Sequence, residues 1–348
     1  MVLNLTIRKC RIKINTFKGI YNFHHSKVEL SNSPQIICVE ITSACNLRCP
    51  ICPMNTGRVE RKKSYMDKET FKKIVDRYHK YMNKVNISHH GEALLHPDLI
   101  FFIKYLHKYG VKCVITTNAT LLTKKMSKKL LEAELDYIMF SFDIFDKKIY
   151  ESIRVGAKYE KTLANIKNFL KMKNDMNKNT HVSIRTINMD KTKKRMNEFF
   201  NYFKDLPGVD SIAIDEINTW GGRIDRKKFI KNQVVGIRKL PYCLQPWVSV
   251  IINSDAGVFV CNNHEDEDFG NLMKEKLEDI WNGSKYQNLR KSILKSDFSK
   301  NDICKNCDYE SLRMYLEEPN SFFPFTKKYL KYLLKPLVKG SKIIKFEN

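Results

Sequence analysis

The sequence predicts an α/β protein, a partial (β/α)6 barrel of the TIM type followed by a small α+β domain. Short apolar, β-branched segments alternate with amphipathic segments of helical period from about residue 36 to residue 215. The six strands counted there are fewer than a closed barrel of this type has. Beyond residue 241 the pattern changes to two β-rich runs joined by a turn, accompanied by four cysteines. A chain of 348 residues is long enough for both units.

Six segments are predicted as barrel strands because they are short, apolar and rich in β-branched side chains. They are residues 36–41, 85–88, 111–118, 135–143, 182–186 and 210–215. Helices are predicted between them at residues 68–82, 98–109, 162–172 and 191–203, and Asp67 is expected to cap the first. Such alternation gives parallel strands joined by right-handed crossovers, and leaves a lateral opening when the barrel is partial.

Three cysteines, Cys45, Cys49 and Cys52, follow the first predicted strand with the spacing C-x3-C-x2-C. The carboxyl ends of barrel strands carry the active site. A structural zinc site would need a fourth ligand, and none follows in this loop. The spacing therefore favours an iron–sulfur cluster with one iron left open to a cofactor or substrate. The alternatives are zinc or a C-x-x-C redox pair formed by Cys49 and Cys52.

This loop resembles the first motif of the radical S-adenosylmethionine (SAM) enzymes, C-x3-C-x-Φ-C, with Ile51 at the apolar position Φ. The resemblance implies that the three thiolates hold a [4Fe-4S] cluster whose fourth iron is chelated by the amino and carboxylate groups of SAM. It also implies reductive cleavage of SAM to a 5′-deoxyadenosyl radical, which abstracts a hydrogen atom. The electron would come from an external one-electron reductant, a ferredoxin or a flavodoxin.

Polar residues after the next strands also resemble this family. The segment 90–93 is similar to the family's G-G-E-P segment and retains Gly91 and Glu92. The resemblance implies that Glu92 receives the SAM amino group, since a carboxylate suits an ammonium donor. Contacts to the SAM ribose and carboxylate are expected from Asn118, Ser141, Asp143 and Arg185. Three nearby imidazoles are expected to be solvated or substrate-facing, with metal ligation as the alternative: His89, His90 and His96.

Four more cysteines lie beyond a predicted connector. Cys243 and Cys261 flank a predicted hairpin with strands at 248–252 and 258–260, and Cys304 and Cys307 form a C-x2-C pair. By spacing alone, four thiolates bind zinc as readily as a cluster. The arrangement resembles the SPASM/twitch extension of radical SAM enzymes. Because the full SPASM pattern has more cysteines than these four, the resemblance implies one auxiliary [4Fe-4S] cluster.

These expectations divide the chain into an N-terminal extension (1–35), a radical SAM core (36–217), a connector (218–240), an auxiliary iron–sulfur domain (241–315) and a tail (316–348). The expected function is a radical SAM oxidoreductase acting on a small molecule, sugar- or cyclitol-like or lipid-linked, with the auxiliary cluster as electron acceptor. No peptide-binding segment is recognised before the barrel, which favours a small molecule. A peptide-modifying enzyme and a non-catalytic electron-transfer protein are the alternatives. No catalytic acid or base can be assigned.

The formal net charge is +24, from 62 Lys and Arg and 38 Asp and Glu residues. Either a solvated lysine-rich surface or an anionic partner explains it. Nucleic acid is not expected, because no recognised nucleic-acid-binding module is present. Residues 327–339 are basic and amphipathic, which predicts either a helix docked on the barrel or a peripheral contact with anionic membrane. Without a signal peptide or a long apolar run, a cytoplasmic protein is expected.

Overall fold

The computed structural model describes residues 2–56, 64–230, 243–264 and 268–307. The basic segment 327–339 and the second half of the predicted connector lie outside these residues. Within them, no helix combines the length and the apolar character needed to span a bilayer.

All six predicted barrel strands are present, and each pairs in parallel with the next along the chain. They are β1 (Ile36–Val39), β2 (Lys84–Asn86), β3 (Lys112–Thr117), β4 (Tyr137–Ser141), β5 (His181–Asn188) and β6 (Ser211–Glu216). β6 forms an edge of the sheet, so the barrel is not closed. The prediction of a partial α/β barrel is confirmed.

Helices alternate with these strands because their apolar residues recur at the helical period and pack on the sheet. They are α1 (Val2–His24), α2 (Lys68–Tyr78), α3 (Leu99–Lys108), α4 (Lys124–Glu132), α5 (Lys147–Ile153), α6 (Tyr159–Asp175), α7 (Asp190–Lys193) and α8 (Met196–Lys204). Asp67 caps α2 as expected, since its side chain accepts a hydrogen bond from the Thr70 amide. The single helix predicted at 191–203 is two helices, because the chain turns at Lys194 and Arg195 between α7 and α8.

The second cysteine set is attached to the same sheet. Its elements are α9 (Gln245–Val248), β7 (Ser249–Ile252), β8 (Val258–Phe259), α10 (Leu277–Trp281), α11 (Ser284–Lys295) and α12 (Asp302–Lys305). β7 and β8 form the predicted antiparallel hairpin. β7 also pairs in parallel with β1, so the sheet has eight strands in the order β6-β5-β4-β3-β2-β1-β7-β8. The hairpin therefore lies directly beside the strand that leads into the first cysteine loop.

The helix α1 packs against the end of the barrel formed by the amino ends of the strands. Phe23 on α1 makes an edge-to-face contact with Trp247 of α9, with ring centroids 5.2 Å apart. The Arg8 guanidinium donates hydrogen bonds to the carbonyls of Tyr109 (2.6 Å) and Gly110 (2.8 Å), and also to that of Met82. These carbonyls immediately precede β3 and β2. Because they mark the amino ends of the strands, α1 covers the end of the barrel opposite the first cysteine loop.

Candidate functional site

The first cysteine loop leaves β1 at the carboxyl end of the sheet and is held by backbone contacts. Cys49 is buried, and Cys45 and Cys52 are partly buried. The Arg48 amide donates to the carbonyl of Val155 (2.8 Å), which ties the loop to the segment after α5. Ile51, the apolar residue of the motif, is buried, and its carbonyl accepts a hydrogen bond from the indole of Trp220 (3.1 Å). The loop therefore has a fixed path although its sulfur atoms differ in exposure.

Gly91 allows the second motif to reach this loop. A Cβ at this position would lie 2.0 Å from the Thr42 carbonyl oxygen and 2.9 Å from that of Ala44. Only glycine fits such an approach of two backbone segments. The next amide, that of Glu92, donates to the Ala44 carbonyl (2.8 Å), immediately before Cys45. Gly91 thus brings Glu92 against the base of the cysteine loop.

Glu92 is a buried carboxyl group with a defined set of donors. It accepts hydrogen bonds from the Leu94 amide (3.0 Å), the Thr117 hydroxyl (2.7 Å) and the Asn118 amide (2.8 Å). Burial raises the pKa of Glu92, although these three hydrogen bonds act in the opposite direction. In the described part of the chain, no cationic side chain offsets its charge. A carboxylate has about four acceptor positions, so it can still receive one from a ligand.

Asn118 connects this carboxyl group with the cysteine loop. Its side-chain amide donates to the Asn46 side chain (3.1 Å), and the Asn46 amide donates to the hydroxyl of Thr120 (2.8 Å). The backbone of Asn118 already donates to Glu92. Glu92 and Asn118 are therefore joined to the first cysteine loop in one hydrogen-bond network, and Gly91 permits the close backbone approach that brings Glu92 into it.

Asp143 forms a buried ion pair that the sequence did not indicate. Its carboxylate accepts from Arg154 at Nε (2.6 Å) and at the second nitrogen of the fork (3.2 Å). Burial is the largest single influence and lowers the pKa of Arg154, but the charges of Asp143 and Cys49 and the hydrogen bonds to Asp143 together outweigh it and raise that pKa. The charge of Cys49 acts on Arg154 in the same direction as that of Asp143. The pair therefore lies beside the first cysteine loop, and its acid has both oxygens engaged.

Ser141 and Arg185 lie opposite each other in the register of β4 and β5. Ser141 is partly buried. Arg185 is paired through Nε and a terminal nitrogen with Asp215 of β6, at 3.0 and 2.9 Å. Another of its nitrogens approaches the Met139 sulfur (3.6 Å), which places it on the barrel-facing side of β4. An anionic ligand at this place would have to share the guanidinium with Asp215.

The histidines are enclosed, and the expectation of a solvated or substrate-facing imidazole is wrong for His96, because the backbone engages both of its ring nitrogens. His96 is buried; its Nε2 contacts the Met66 carbonyl (3.0 Å) and its Nδ1 accepts from the Asp98 amide (3.0 Å). These bonds are structural, because they connect the backbone before α2 with that before α3. His90 is buried too, and its ring lies 5.5 Å from that of Trp220.

His89 links the two cysteine regions, a contact that sequence reasoning missed. Its Nδ1 lies 3.2 Å from a carboxylate oxygen of Glu40, the fully buried residue that follows β1. Its Nε2 lies 3.1 Å from the side-chain oxygen of Asn262, the residue after Cys261. The signal in the sequence was the acidic residue in an otherwise apolar strand, which needs a buried partner. Which residue would be that partner could not be inferred from spacing.

The second set of cysteines converges on one pocket, whose lining includes Cys243, Cys261, Cys304 and Cys307. They come from three stretches of chain: Cys243 lies before α9, Cys261 after β8, Cys304 in α12 and Cys307 just after α12. Burial, and then the nearby thiols of Cys243 and Cys307, raise the pKa of Cys261. Thiolates in such a place need a cation and hydrogen-bond donors, and a metal centre supplies the cation.

Both sets offer donors that suit an iron–sulfur cluster, three thiols at the first site and four at the second. Among the described residues, no three His, Cys, Asp or Glu side chains converge as the ligands of a single metal ion do. A four-iron cluster places each cysteine on a different iron, so its ligands stand further apart than those of one ion. The donor chemistry of both sets and the shared pocket of the second set therefore fit a cluster.

Comparison with protein families gives two matches along the chain. Residues 39–199 match the radical SAM superfamily. Residues 243–308 match the SPASM iron–sulfur cluster-binding domain. The first range contains the first cysteine loop and β2 to β5, and the second contains all four cysteines of the second pocket.

Individual relatives share most of the length of the chain. A tungsten-containing aldehyde ferredoxin oxidoreductase cofactor-modifying protein of Pyrococcus furiosus is 26% identical over 324 residues, which cover 79% of this chain and 86% of the relative. An SAM-dependent 2-deoxy-scyllo-inosamine dehydrogenase of Niallia circulans is 20% identical and covers 80% and 94%. The crystal structure of Streptococcus suis SuiB bound to the precursor peptide SuiA shares the fold, with a TM-score of 0.61 at 15% identity, covering 87% of this chain and 76% of that one.

Proposed function

We propose, because the chain belongs to the radical SAM superfamily and carries a C-terminal iron–sulfur cluster-binding domain, that it is an oxidoreductase that removes hydrogen from a small molecule. Superfamily membership makes it an enzyme that uses SAM and iron–sulfur clusters. It also disfavours the alternative of a non-catalytic electron carrier. The observation that carries the proposal is the network joining Glu92, Asn118 and the first cysteine loop, which an electron carrier does not need.

In this proposal Cys45, Cys49 and Cys52 hold the cluster that binds SAM. When bound, SAM supplies on reduction the 5′-deoxyadenosyl radical that abstracts hydrogen from the substrate. Glu92 receives the SAM amino group, because it is a buried carboxylate without a cationic partner in the described residues. An ammonium group there would offset its charge and donate to its remaining acceptor position.

The other residues proposed for the SAM site position the cofactor or the cysteine loop and do not react themselves. Asn118 holds the cysteine loop through Asn46, and Ser141 and Arg185 offer a hydroxyl and a guanidinium from adjacent strands. Asp143 is engaged by Arg154, so we propose that it positions this part of the site. Ile51 excludes water beside the thiols because it is buried.

The second pocket is proposed to hold one auxiliary [4Fe-4S] cluster on Cys243, Cys261, Cys304 and Cys307, and to accept the electron left on the oxidised substrate. Its support is its place in the sheet. β7 pairs with β1, and Asn262 contacts His89 of the barrel (3.1 Å). A pocket joined in this way to the carboxyl end of the barrel supports a role toward the same substrate. The proposed domain division at residues 217 and 241 then separates two sites within one continuous sheet.

The substrate class is proposed from the sequence and the relatives together. The dehydrogenase relative acts on 2-deoxy-scyllo-inosamine, which supports a sugar- or cyclitol-like molecule. A peptide is the alternative, because the similar structure of SuiB holds a precursor peptide. An external ferredoxin or flavodoxin would supply the electron for SAM cleavage. Peripheral membrane contact through residues 327–339 stays a prediction.

The test is anaerobic reconstitution with iron and sulfide, followed by measurement of 5′-deoxyadenosine formed from SAM under a strong reductant. The wild-type chain should bind about eight irons, two clusters of four, and form 5′-deoxyadenosine. Simultaneous replacement of Cys45, Cys49 and Cys52 by Ala should abolish 5′-deoxyadenosine and leave about four irons. Cleavage of SAM by that triple variant would contradict the assignment of the first loop. Stoichiometric zinc in place of its iron would contradict the assignment of the second pocket.

A further inference from the structure

Two consecutive residues, Asn263 and His264, direct hydrogen-bond donors at the sulfur atoms of the second pocket. The Asn263 side-chain nitrogen lies 3.2 Å from the Cys307 sulfur. The Nε2 atom of His264 lies 3.2 Å from the Cys304 sulfur. The backbone amides of both residues also lie close to Cys261, and that of His264 donates to the Cys261 carbonyl (3.1 Å). Three cysteines of the pocket therefore receive donors from one dipeptide.

These donors are held in place by the surrounding protein. Asn263 and His264 are 3% and 2% exposed. The Asn263 side-chain oxygen accepts from the Asn218 amide (3.4 Å), which leaves its nitrogen directed at the sulfur. The Asn263 carbonyl also accepts from the guanidinium of Arg223. Because Asn218 and Arg223 come from the segment after β6, the barrel side of the chain orients the dipeptide.

We propose that Asn263 and His264 raise the reduction potential of the auxiliary cluster through their hydrogen bonds to cysteine sulfur, an inference that rests on the proposed auxiliary cluster. Reduction adds negative charge to a cluster and its thiolates. Donors to sulfur stabilise that charge, so they favour the reduced form. For His264 the proposal requires the tautomer that carries the hydrogen on Nε2, the ring atom 3.2 Å from the Cys304 sulfur. A cluster tuned in this way accepts an electron more readily, which suits a site placed to oxidise a substrate.

The test is a redox titration followed by electron paramagnetic resonance, in a chain whose Cys45, Cys49 and Cys52 are Ala so that only the auxiliary cluster contributes. His264→Phe and Asn263→Leu each remove one donor to sulfur. Each should change the ratio of oxidised to reduced cluster about tenfold at a fixed potential, equivalent to a midpoint about 59 mV lower for a one-electron couple. His264→Gln retains an N–H donor and should recover most of the shift.

The matched control is Gln245→Leu. Gln245 is a buried amide in the lining of the same pocket, but its side chain accepts from Ser249 rather than donating to a sulfur. Its replacement tests the loss of a buried amide alone and should leave the midpoint unchanged.

The outcomes separate the inference from the function on which it rests. Fully loaded His264→Phe and Asn263→Leu variants with the parental midpoint would overturn the inference and leave the auxiliary cluster in place. An equal shift in Gln245→Leu would also overturn it, because polarity of the pocket rather than a bond to sulfur would then set the potential. Loss of iron from both His264 variants would show a role in metal retention instead. An iron-free parent would remove the auxiliary cluster itself.

Discussion

The two cysteine regions differ in the side chains that surround the thiols. Around the first loop the buried groups carry charge, namely the carboxyl of Glu92 and the ion pair of Asp143 with Arg154. Around the second pocket the groups that contact sulfur are an amide and an imidazole, those of Asn263 and His264. The first region therefore resembles a binding site for a charged ligand. The second resembles a metal site in which the cysteine sulfurs need only hydrogen-bond donors.

This difference follows from how many cysteines each region offers. A cluster on three cysteines keeps an iron for SAM, so charged residues around it can serve the ammonium and carboxylate groups of that ligand. A cluster on four cysteines has no open iron and binds nothing more. Its protein surroundings can then act only on potential and stability. Substitutions of charged and uncharged residues should accordingly have different consequences in the two regions.

The largest expected effect is on the charged side of the comparison, at Arg154. Arg154→Met leaves the Asp143 carboxylate buried without its partner. Removing one member of a buried pair costs about 3–5 kcal/mol of the free energy of unfolding. Urea unfolding of the metal-free protein measures this cost. Arg195→Met is the matched control, because Arg195 is 40% exposed and pairs with Glu198 on the surface; it should cost less than about 1 kcal/mol. Equal losses in both variants would show that burial of the pair contributes little.

A smaller effect is expected at Glu92, where the loss should appear in ligand binding. Glu92→Gln removes the charge that we propose for the SAM ammonium, and hydrogen bonds to charged groups contribute about 1.5–3 kcal/mol. SAM should bind the reconstituted variant about 10- to 100-fold more weakly by calorimetry. Glu69→Gln changes an exposed carboxylate on α2 and should leave the affinity as it is. An unchanged affinity in Glu92→Gln would place the SAM amino group elsewhere.

The same substitution has an opposite consequence without SAM. Burial raises the pKa of Glu92 in the folded state above its ordinary value of 4.5. A raised folded pKa means that the stability contributed by this group is present below pH 4.5 and is lost as the pH rises through the folded pKa. Gln does not titrate. Metal-free Glu92→Gln should therefore gain stability relative to wild type as the pH rises above 4.5, measured as the difference in urea midpoints.

Local patterns predicted the first region better than the second. The six strands and the loop of Cys45, Cys49 and Cys52 could be predicted because each depends on neighbouring residues. The hairpin of β7 and β8 was predictable for the same reason. Its parallel pairing with β1 was not, because the periodicity of a strand shows which face is buried but not which strand lies beside it.

The sequence also did not show which buried polar residues contact one another. Asp143 was expected to contact SAM, and its engagement with Arg154 could not be inferred, since the two residues are brought together by the turn after α5. The contact of His89 with Glu40 and Asn262 joins three distant stretches of sequence. Asn263 and His264 carried no pattern at all. Their importance appears only when the fold brings α12 beside them.

The smallest expected effect tests whether the two regions work independently. Replacing Cys304 and Cys307 by Ala should remove the proposed auxiliary cluster, and it changes none of the residues around Glu92. Formation of 5′-deoxyadenosine under strong reductant should therefore remain close to the wild-type rate, while iron falls from about eight to about four per chain. The shared sheet and the contact between His89 and Asn262 provide the route by which this expectation could fail. Removing metal ligands also removes folding free energy, so limited proteolysis of residues 243–307 must accompany the assay. A folded variant that binds four irons but cleaves SAM much more slowly would show that the second pocket controls the first through this contact.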